Sequence, residues 1–400
     1  VTMALPPLRP GLSPDLLYPA DAAYMARTDL EQTRMLGYTP FNLDAVTSLL
    51  MGLLGMRAAV RHVSGATDQI LTLISRAGLE VAEDMRLYES SEQAERHADD
   101  LVAKGCRLFW PYPLRDGRFP DENHLVPPAL WRRLNAKERL SDLVDARFLP
   151  PRDIGPAEDL VARPFARPVF IKAGGGIATG WGYAVRHCHD EATYTEAVQW
   201  FTGLGDKAGL VVVEDAVNVE HCWCATVAVT ESDIHYAGAA EQLFSAPARQ
   251  FGSLVDAANP LPEAGVALAL SIAERARRLG FLGLAGFDIG AAADGSLYVF
   301  DPNFRFNSST PQVLLHDDAA RRVGASVSLS FNDGSPHPFG EVARSIVGPI
   351  DDGWFVPTRL IDGAHLPAAE GLSRVTGFLL ADSMTQAQER QSLLTRILRD

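Results

Sequence analysis

Residues 300–310, "FDPNFRFNSST", place an acid, an amide and a guanidinium at alternate positions: Asp301, Asn303 and Arg305. They follow the apolar run Leu297-Tyr298-Val299-Phe300. Alternate side chains of a strand share a face, so the three project together. A second acid, Asp288, lies 13 residues earlier in "GFDIG", with the turn sequence "ADGS" midway. An Asp-Gly turn between two apolar runs predicts a hairpin, which brings the two carboxylates near one another across the ladder. Side by side, two acids repel unless something positive lies between them. Magnesium, a hard cation that takes oxygen ligands, is the natural occupant. Asn303 adds a neutral oxygen, and Arg305 a planar fork for phosphate or a developing anion. A polar strand end with solvated side chains is the competing reading.

A second group of residues suits phosphate. In "VFIKAGGGIATGWGYAV", Lys172 ends an apolar strand, and Gly174, Gly175 and Gly176 follow it. Glycines let backbone N–H groups converge on an anion, and a lysine entering the loop supplies a point charge. A glycine-rich hairpin tip has the same composition, and no Gly-Lys-Ser/Thr closes a Walker loop here. The strand "LVVVEDAV" then carries Glu214 at its end, with Glu220 six residues later. A strand end with free backbone groups can read an adenine edge, and a nearby carboxylate can bind ribose hydroxyls. Solvated glutamates at a strand exit are the ordinary alternative.

These groups need a scaffold, and 400 residues with 47% hydrophobic content can build two or three subdomains. The pattern predicts an α/β (α+β) fold. Residues 1–20, rich in proline and leucine, read as a surface wrap, and from about residue 40 to 130 helical and strand-like segments alternate in a small α/β layer unit; it lacks G-x-G-x-x-G, so no dinucleotide is assigned to it. Within it, "LDAVTSLLMGLLGM" reads as a buried helix. A second unit spans 131–345, and its segment at about 160–212 carries the glycine loop. "NAKERLSDLV" reads as a helix entered through Asn135, and "CWCATVAVTESDIHYAGAAEQLF" as a hairpin turning at "TESD". Residues 346–400 read as a small terminal unit with one strand and a final helix.

The formal net charge of −14 argues against broad nucleic-acid or membrane binding and requires any phosphate site to use specific lysines and arginines. Cys222 and Cys224 are too close for a zinc knuckle, and the four cysteines read as reduced thiols of a cytoplasmic protein. The start "VTMALPPLRPGLSPDLL" shows no signal-peptide pattern, and no apolar run is long enough to span a bilayer. A homodimer is the default oligomer.

In order, "NAKERL", "VFIKAGGG", "VVVED", "GFDIG" and "FDPNFR" resemble the parts of the ATP-grasp superfamily over about residues 130–320. Asp301 stands where glutamate is commoner in that family. The resemblance implies an ATP-grasp fold with an N-terminal pre-ATP-grasp domain (1–130), an ATP-grasp domain (131–345) with a flexible lid, and a small C-terminal subdomain (346–400). It implies ATP and one or two magnesium ions as cofactors. Lys137 would touch the α-phosphate and Lys172 the α- or β-phosphate, under a lid of Gly174, Gly175 and Gly176. Glu214 and the backbone of the following strand, including Val217, would read adenine, with Glu220 preferred over His221 for ribose. Asp288, Asp301 and Asn303 would hold the metal, and Arg305 would stabilise the acyl phosphate and the tetrahedral intermediate. The implied reaction is an ATP-dependent carboxylate–amine ligation, giving an amide or peptide bond between small molecules such as amino acids. The chain looks most similar to stand-alone amino-acid and peptide ligases of bacterial secondary metabolism, such as the pheganomycin type. A bicarbonate-activating carboxylase of the biotin-carboxylase kind and a silent nucleotide-binding protein are the alternatives.

Overall fold

The computed structural model describes residues 6–25, 44–112, 117–174, 184–205 and 209–400. Three sheets organise the chain. The first is parallel, with strands β1 (Ala22–Tyr24), β2 (Ala58–His62), β3 (Asp84–Tyr88) and β4 (Arg107–Phe109) in the order β3-β2-β1-β4. Helices α1 (Asp68–Arg76) and α2 (Ser91–Ala103) make its connections. Each starts on a hydroxyl cap, Thr67 accepting from Ile70 N and Ser90 from Gln93 N. Helix α3 (Pro128–Asn135) leads out of this unit.

The second sheet holds β5 (Arg152–Pro156), β6 (Val169–Ala173), β7 (Val185–Cys188) and β8 (Leu210–Asp215) in the order β5-β8-β6-β7, all antiparallel. Helix α4 (Glu191–Gly203) covers it, entered through an Asp190–Thr193 capping box. Its core is its own: Ile171, Val211 and Val213 pack with Leu160, Ala197 and Phe201.

The third sheet has eight strands: β9 (His221–Val229), β10 (Ile234–Ala246), β11 (Arg249–Asp256), β12 (Gly283–Ala291), β13 (Leu297–Asn303), β14 (Val327–Ser335), β15 (Phe355–Ile361) and β16 (Ser373–Ala381). Their order is β13-β12-β9-β10-β11-β14-β16-β15. Helix α5 (Glu263–Arg278) lays Leu268, Ala269, Ile272, Ala273 and Ala276 on it, a 3.6-residue stripe. Helices α6 (Thr310–Val323), α7 (Phe339–Asp351) and α8 (Met384–Ile397) pack around the β14–β15 end. Among the described residues no helix is long and apolar enough to cross a membrane.

Three expected elements differ. Residues 346–400 hold two strands, β15 and β16, where one was expected. Residues 47–56 run through turns, not a helix, with Leu50, Gly52 and Gly55 at positive φ. Fully buried Arg61 holds these turns, donating to the carbonyls of Thr47 and Leu49 while paired with buried Glu83. The apolar run is therefore shaped by a buried cation that bonds carbonyls a helix would have used itself. Asn135 ends helix α3 and does not start one; residues 137–142 form a 3-10 segment. Its side chain accepts from Phe304 N at 2.9 Å, which ties α3 to the chain leaving β13.

Candidate active site

The hairpin of β12 and β13 sets Asp288 directly opposite Asp301, with Gly286 opposite Asn303. A register shift between Asp288 and Ile289 leaves Phe300 as an extra residue, and this bulge aligns the two acids. One cavity of about 130 Å³ is lined by Asp288, Asp301, Asn303, Arg305 and Lys137, with Gln242 beside them. The structure brings these five residues to one cavity, Lys137 among them although only the family resemblance pointed to it. Arg305 lies just beyond the strand and donates from Nη2 to Asn303 Oδ1 at 2.8 Å. Its guanidinium sits 5.2 Å from the centre of the Tyr112 ring. Buried Lys137 pairs with Asp301.

Lys172 meets the β12–β13 hairpin at its bulge. Its ammonium donates to Phe300 O, at the bulge, at 3.0 Å and pairs with Glu214. Burial pulls its pKa down to about 7, against the nearby Asp301 carboxylate. Glu214 is 1% exposed and also pairs with Arg152, whose Nη1 donates to Lys137 O at 3.2 Å. Arg152 was not expected from the sequence, because nothing local marks it; its role appears only when β5 pairs with β8. The strand that carries Glu214 ends at Asp215, and residues 216–220 cross to β9 without regular structure. Val217 lies half-buried in that crossing. Glu220 is exposed, its N–H donating to Ala291 O at 2.9 Å. Gly174 donates to Leu210 O at 2.7 Å, whereas Gly175 and Gly176 lie outside the described residues.

The acids fit a divalent cation. Asp288 Oδ1 is buried with no hydrogen-bond partner. Burial, and then the charge of Asp301, raise the Asp288 carboxyl to about 6. A buried, orphaned acid oxygen facing a second acid is costly alone and is satisfied by an oxygen-seeking metal. Among the described residues no three His, Cys, Asp or Glu side chains form a complete metal cluster. The two acids and Asn303 would therefore share the ion with phosphate oxygens, as magnesium at nucleotide sites does.

Two family models match the chain: the L-aspartate–L-methionine ligase N-terminal domain over residues 13–132, and the L-aspartate–L-methionine ligase ATP-grasp domain over residues 150–303. The chain belongs to the ATP-grasp carboxylate–amine ligases. It is an ATP-dependent enzyme that forms an amide bond between small molecules of the amino-acid class. The fold agrees with that of solved structures. The ligase is similar to an L-amino acid ligase from Bacillus licheniformis, with a TM-score of 0.51 and 13% identity over 94% of this chain and 97% of that one. It is similar to N5-carboxyaminoimidazole synthetase from Staphylococcus aureus complexed with ADP, with a TM-score of 0.54 and 11% identity over 84% and 96%. It also resembles biotin carboxylase from Campylobacter jejuni, with a TM-score of 0.53 and 12% identity over 94% and 91%.

Other residues of the ligase settle into structural work. Asn307 Oδ1 accepts from Ser309 N at 3.1 Å, Ser309 Oγ at 2.8 Å and Thr310 N at 3.1 Å, so the Asn-Ser-Ser-Thr run is a turn that opens α6. His221 Nδ1 lies 2.6 Å from Glu241 Oε1, and the His187 ring stacks on Phe170. Burial holds the Cys222 and Cys224 thiols well above their usual range, consistent with inert, reduced cysteines.

Proposed function

We propose that this ligase joins two amino acids through an acyl phosphate, with an acidic amino acid as acyl donor and L-aspartate plus L-methionine as the first pair to test. The pairing of Asp288 with Asp301 in one cavity with Lys137 and Arg305 carries the reading. The matching family models point to the substrates. An oxygen of the donor carboxylate attacks the γ-phosphorus of ATP, the β–γ bridging bond breaks, and ADP leaves. The acceptor amine then attacks the acyl carbon and loses a proton, and the C–O bond to phosphate breaks. One amide, one ADP and one phosphate result.

Lys137 and Lys172 neutralise phosphate oxygens, and Arg305 holds the carboxylate and then the tetrahedral oxyanion. Asp288, Asp301 and Asn303 would hold magnesium, whose charge would offset that of the triphosphate. The backbone from Glu214 to Val217 borders the base, with Glu220 towards the ribose. These parts act by positioning and charge neutralisation.

The test combines protein, ATP, magnesium and the two amino acids. ADP, phosphate and a mass equal to the sum of the two minus water are expected in equal amounts. Formation of AMP and pyrophosphate instead would overturn the acyl-phosphate route.

A further inference from the structure

One buried cation near the acids has no assigned task. Arg152 on β5 lies directly opposite Glu214 on β8, and Glu214 lies opposite Phe170 on β6. Lys172 is two residues beyond Phe170, so Arg152, Glu214 and Lys172 share one face of this sheet. The Glu214 carboxylate is divided between the two cations: Oε1 accepts from Arg152 Nη2, and Oε2 pairs with Lys172 Nζ. The other arm of the guanidinium is anchored, with Nη1 donating to Lys137 O at 3.2 Å. Lys172 in turn donates to Phe300 O at 3.0 Å, next to Asp301.

This arrangement costs stability. The Arg152 side chain is 8% exposed, burial lowers its pKa to about 10, and its Nε is buried with no hydrogen-bond partner among the described residues. An apolar side chain would fill such a place without burying a charge, and a costly local choice points to function. The guanidinium adds direction and charge. With Arg152 on Oε1, the carboxylate cannot turn both oxygens to Lys172, so Lys172 keeps its bond to Phe300 O. Two cations against one carboxylate leave the cluster with a net positive charge, whereas Lys172 and Glu214 alone would cancel. A phosphate gains from the first arrangement and not from the second. A planar fork suits the task, because its terminal nitrogens reach two partners at once.

We propose that Arg152 is a positioning residue for nucleotide binding: through Glu214 it holds the Lys172 ammonium at the bulge of the β12–β13 hairpin and keeps it available to phosphate. This rests on the nucleotide reading of Lys172 above. A purely structural tie between β5 and β8, and a direct contact of Arg152 with the nucleotide, are the competing roles.

Calorimetric titration of magnesium–ADP into the whole protein separates the three, with the thermal midpoint of each variant recorded to show that it is folded. Arg152→Gln is expected to weaken magnesium–ADP about 10- to 100-fold, as for a lost charged hydrogen bond. In turnover it raises the KM for ATP and leaves the KM values for both amino acids unchanged. In a Lys172→Met background, Arg152→Gln is expected to cost no more than about 2-fold further, because a residue acting through another adds nothing once that other is gone. Arg152→Lys keeps the charge that balances Glu214 and loses only the fork, so binding about 3- to 10-fold weaker is expected, again absent from the Lys172→Met background. This second pair decides the matter if Arg152→Gln does not fold. Unchanged magnesium–ADP affinity in a destabilised Arg152→Gln would leave only the structural tie. A loss that adds in full to that of Lys172→Met would mean direct contact, and either result overturns the assignment. Failure of the nucleotide reading looks different: Lys172→Met itself then binds magnesium–ADP as tightly as the wild type.

Discussion

At the residue scale, Asp288 and Asp301 hold opposing demands. Facing each other across the hairpin, the two carboxylates repel, and a cation between them would offset that repulsion. Asp288→Asn keeps the shape and removes one charge. Turnover is expected to fall at least about 100-fold, the scale of losing one electrostatic contact to a transition state. The ligand-free protein is expected to become more stable by about 0.5–2 kcal/mol, as when a functional site is relieved of strain. Parallel assays of phosphate release and thermal midpoint check both, and a variant that lost activity and stability together would argue for a purely structural acid. These acids, with Asn303 and Arg305, were legible because strand alternation and an Asp-Gly turn are local signals. Arg152 was not. Its neighbours come from β5–β8 pairing, and an arginine in a strand looks like any surface residue until its partner strand is known. The bulge at Phe300 that brings the acids into register was equally invisible, since "YVFDPN" reads the same with or without it.

At the element scale, the hairpins marked by turn residues were readable, and the helices expected over residues 47–56 and from Asn135 were not. The apolar period of residues 47–56 suits a helix, but Arg61 and Glu83, distant in sequence, take over its backbone groups. The end of β2 adds a pH-sensitive element beside it. His62 is 4% exposed, its Nδ1 lies 2.8 Å from Ser64 Oγ, and its ring meets Tyr88 edge-on. Burial, then His365, lower it from 6.5 to about 4. The folded chain therefore refuses a proton that the unfolded chain accepts. The stability tied to neutral His62 is complete above about pH 6.5 and is lost as pH falls towards 4. Asn at this position can still cap Ser64 N but cannot titrate. Between pH 7 and pH 5 the wild type is expected to lose about 2 kcal/mol more than His62→Asn. Urea titrations at the two pH values measure this, and parallel losses in both proteins would refute it.

At the scale of the whole molecule, the cores divide the chain unevenly. Leu17, Tyr24, Ile70 and Leu73 from the first unit share one core with Phe331, Ile346, Phe378 and Leu394 from the last part of the chain. Polar ties reinforce this: Arg76 Nη2 donates to Asp351 Oδ2 at 2.6 Å, and Arg322 Nη1 donates to Ala77 O at 2.9 Å. The sheet of β5 to β8 instead keeps a separate core, and Lys172 and Arg152 meet the rest of the chain through polar contacts at Phe300 and Lys137. Polar contacts to a ligand-binding surface open at lower free energy than a shared apolar core. Hydrogen exchange is therefore expected to split the amides into two groups. Those of β6, β8 and α4 exchange through a partial opening, and those of β2, β14 and β16 only with global unfolding. Magnesium with ADP should slow the first group at least about 10-fold and leave the ranking of the second unchanged, because a ligand stabilises only the opening that releases it. If all amides exchanged at one rate with and without nucleotide, the β5–β8 sheet would not be an independent unit. The nucleotide would then have to bind without bridging it to the acids of β12 and β13.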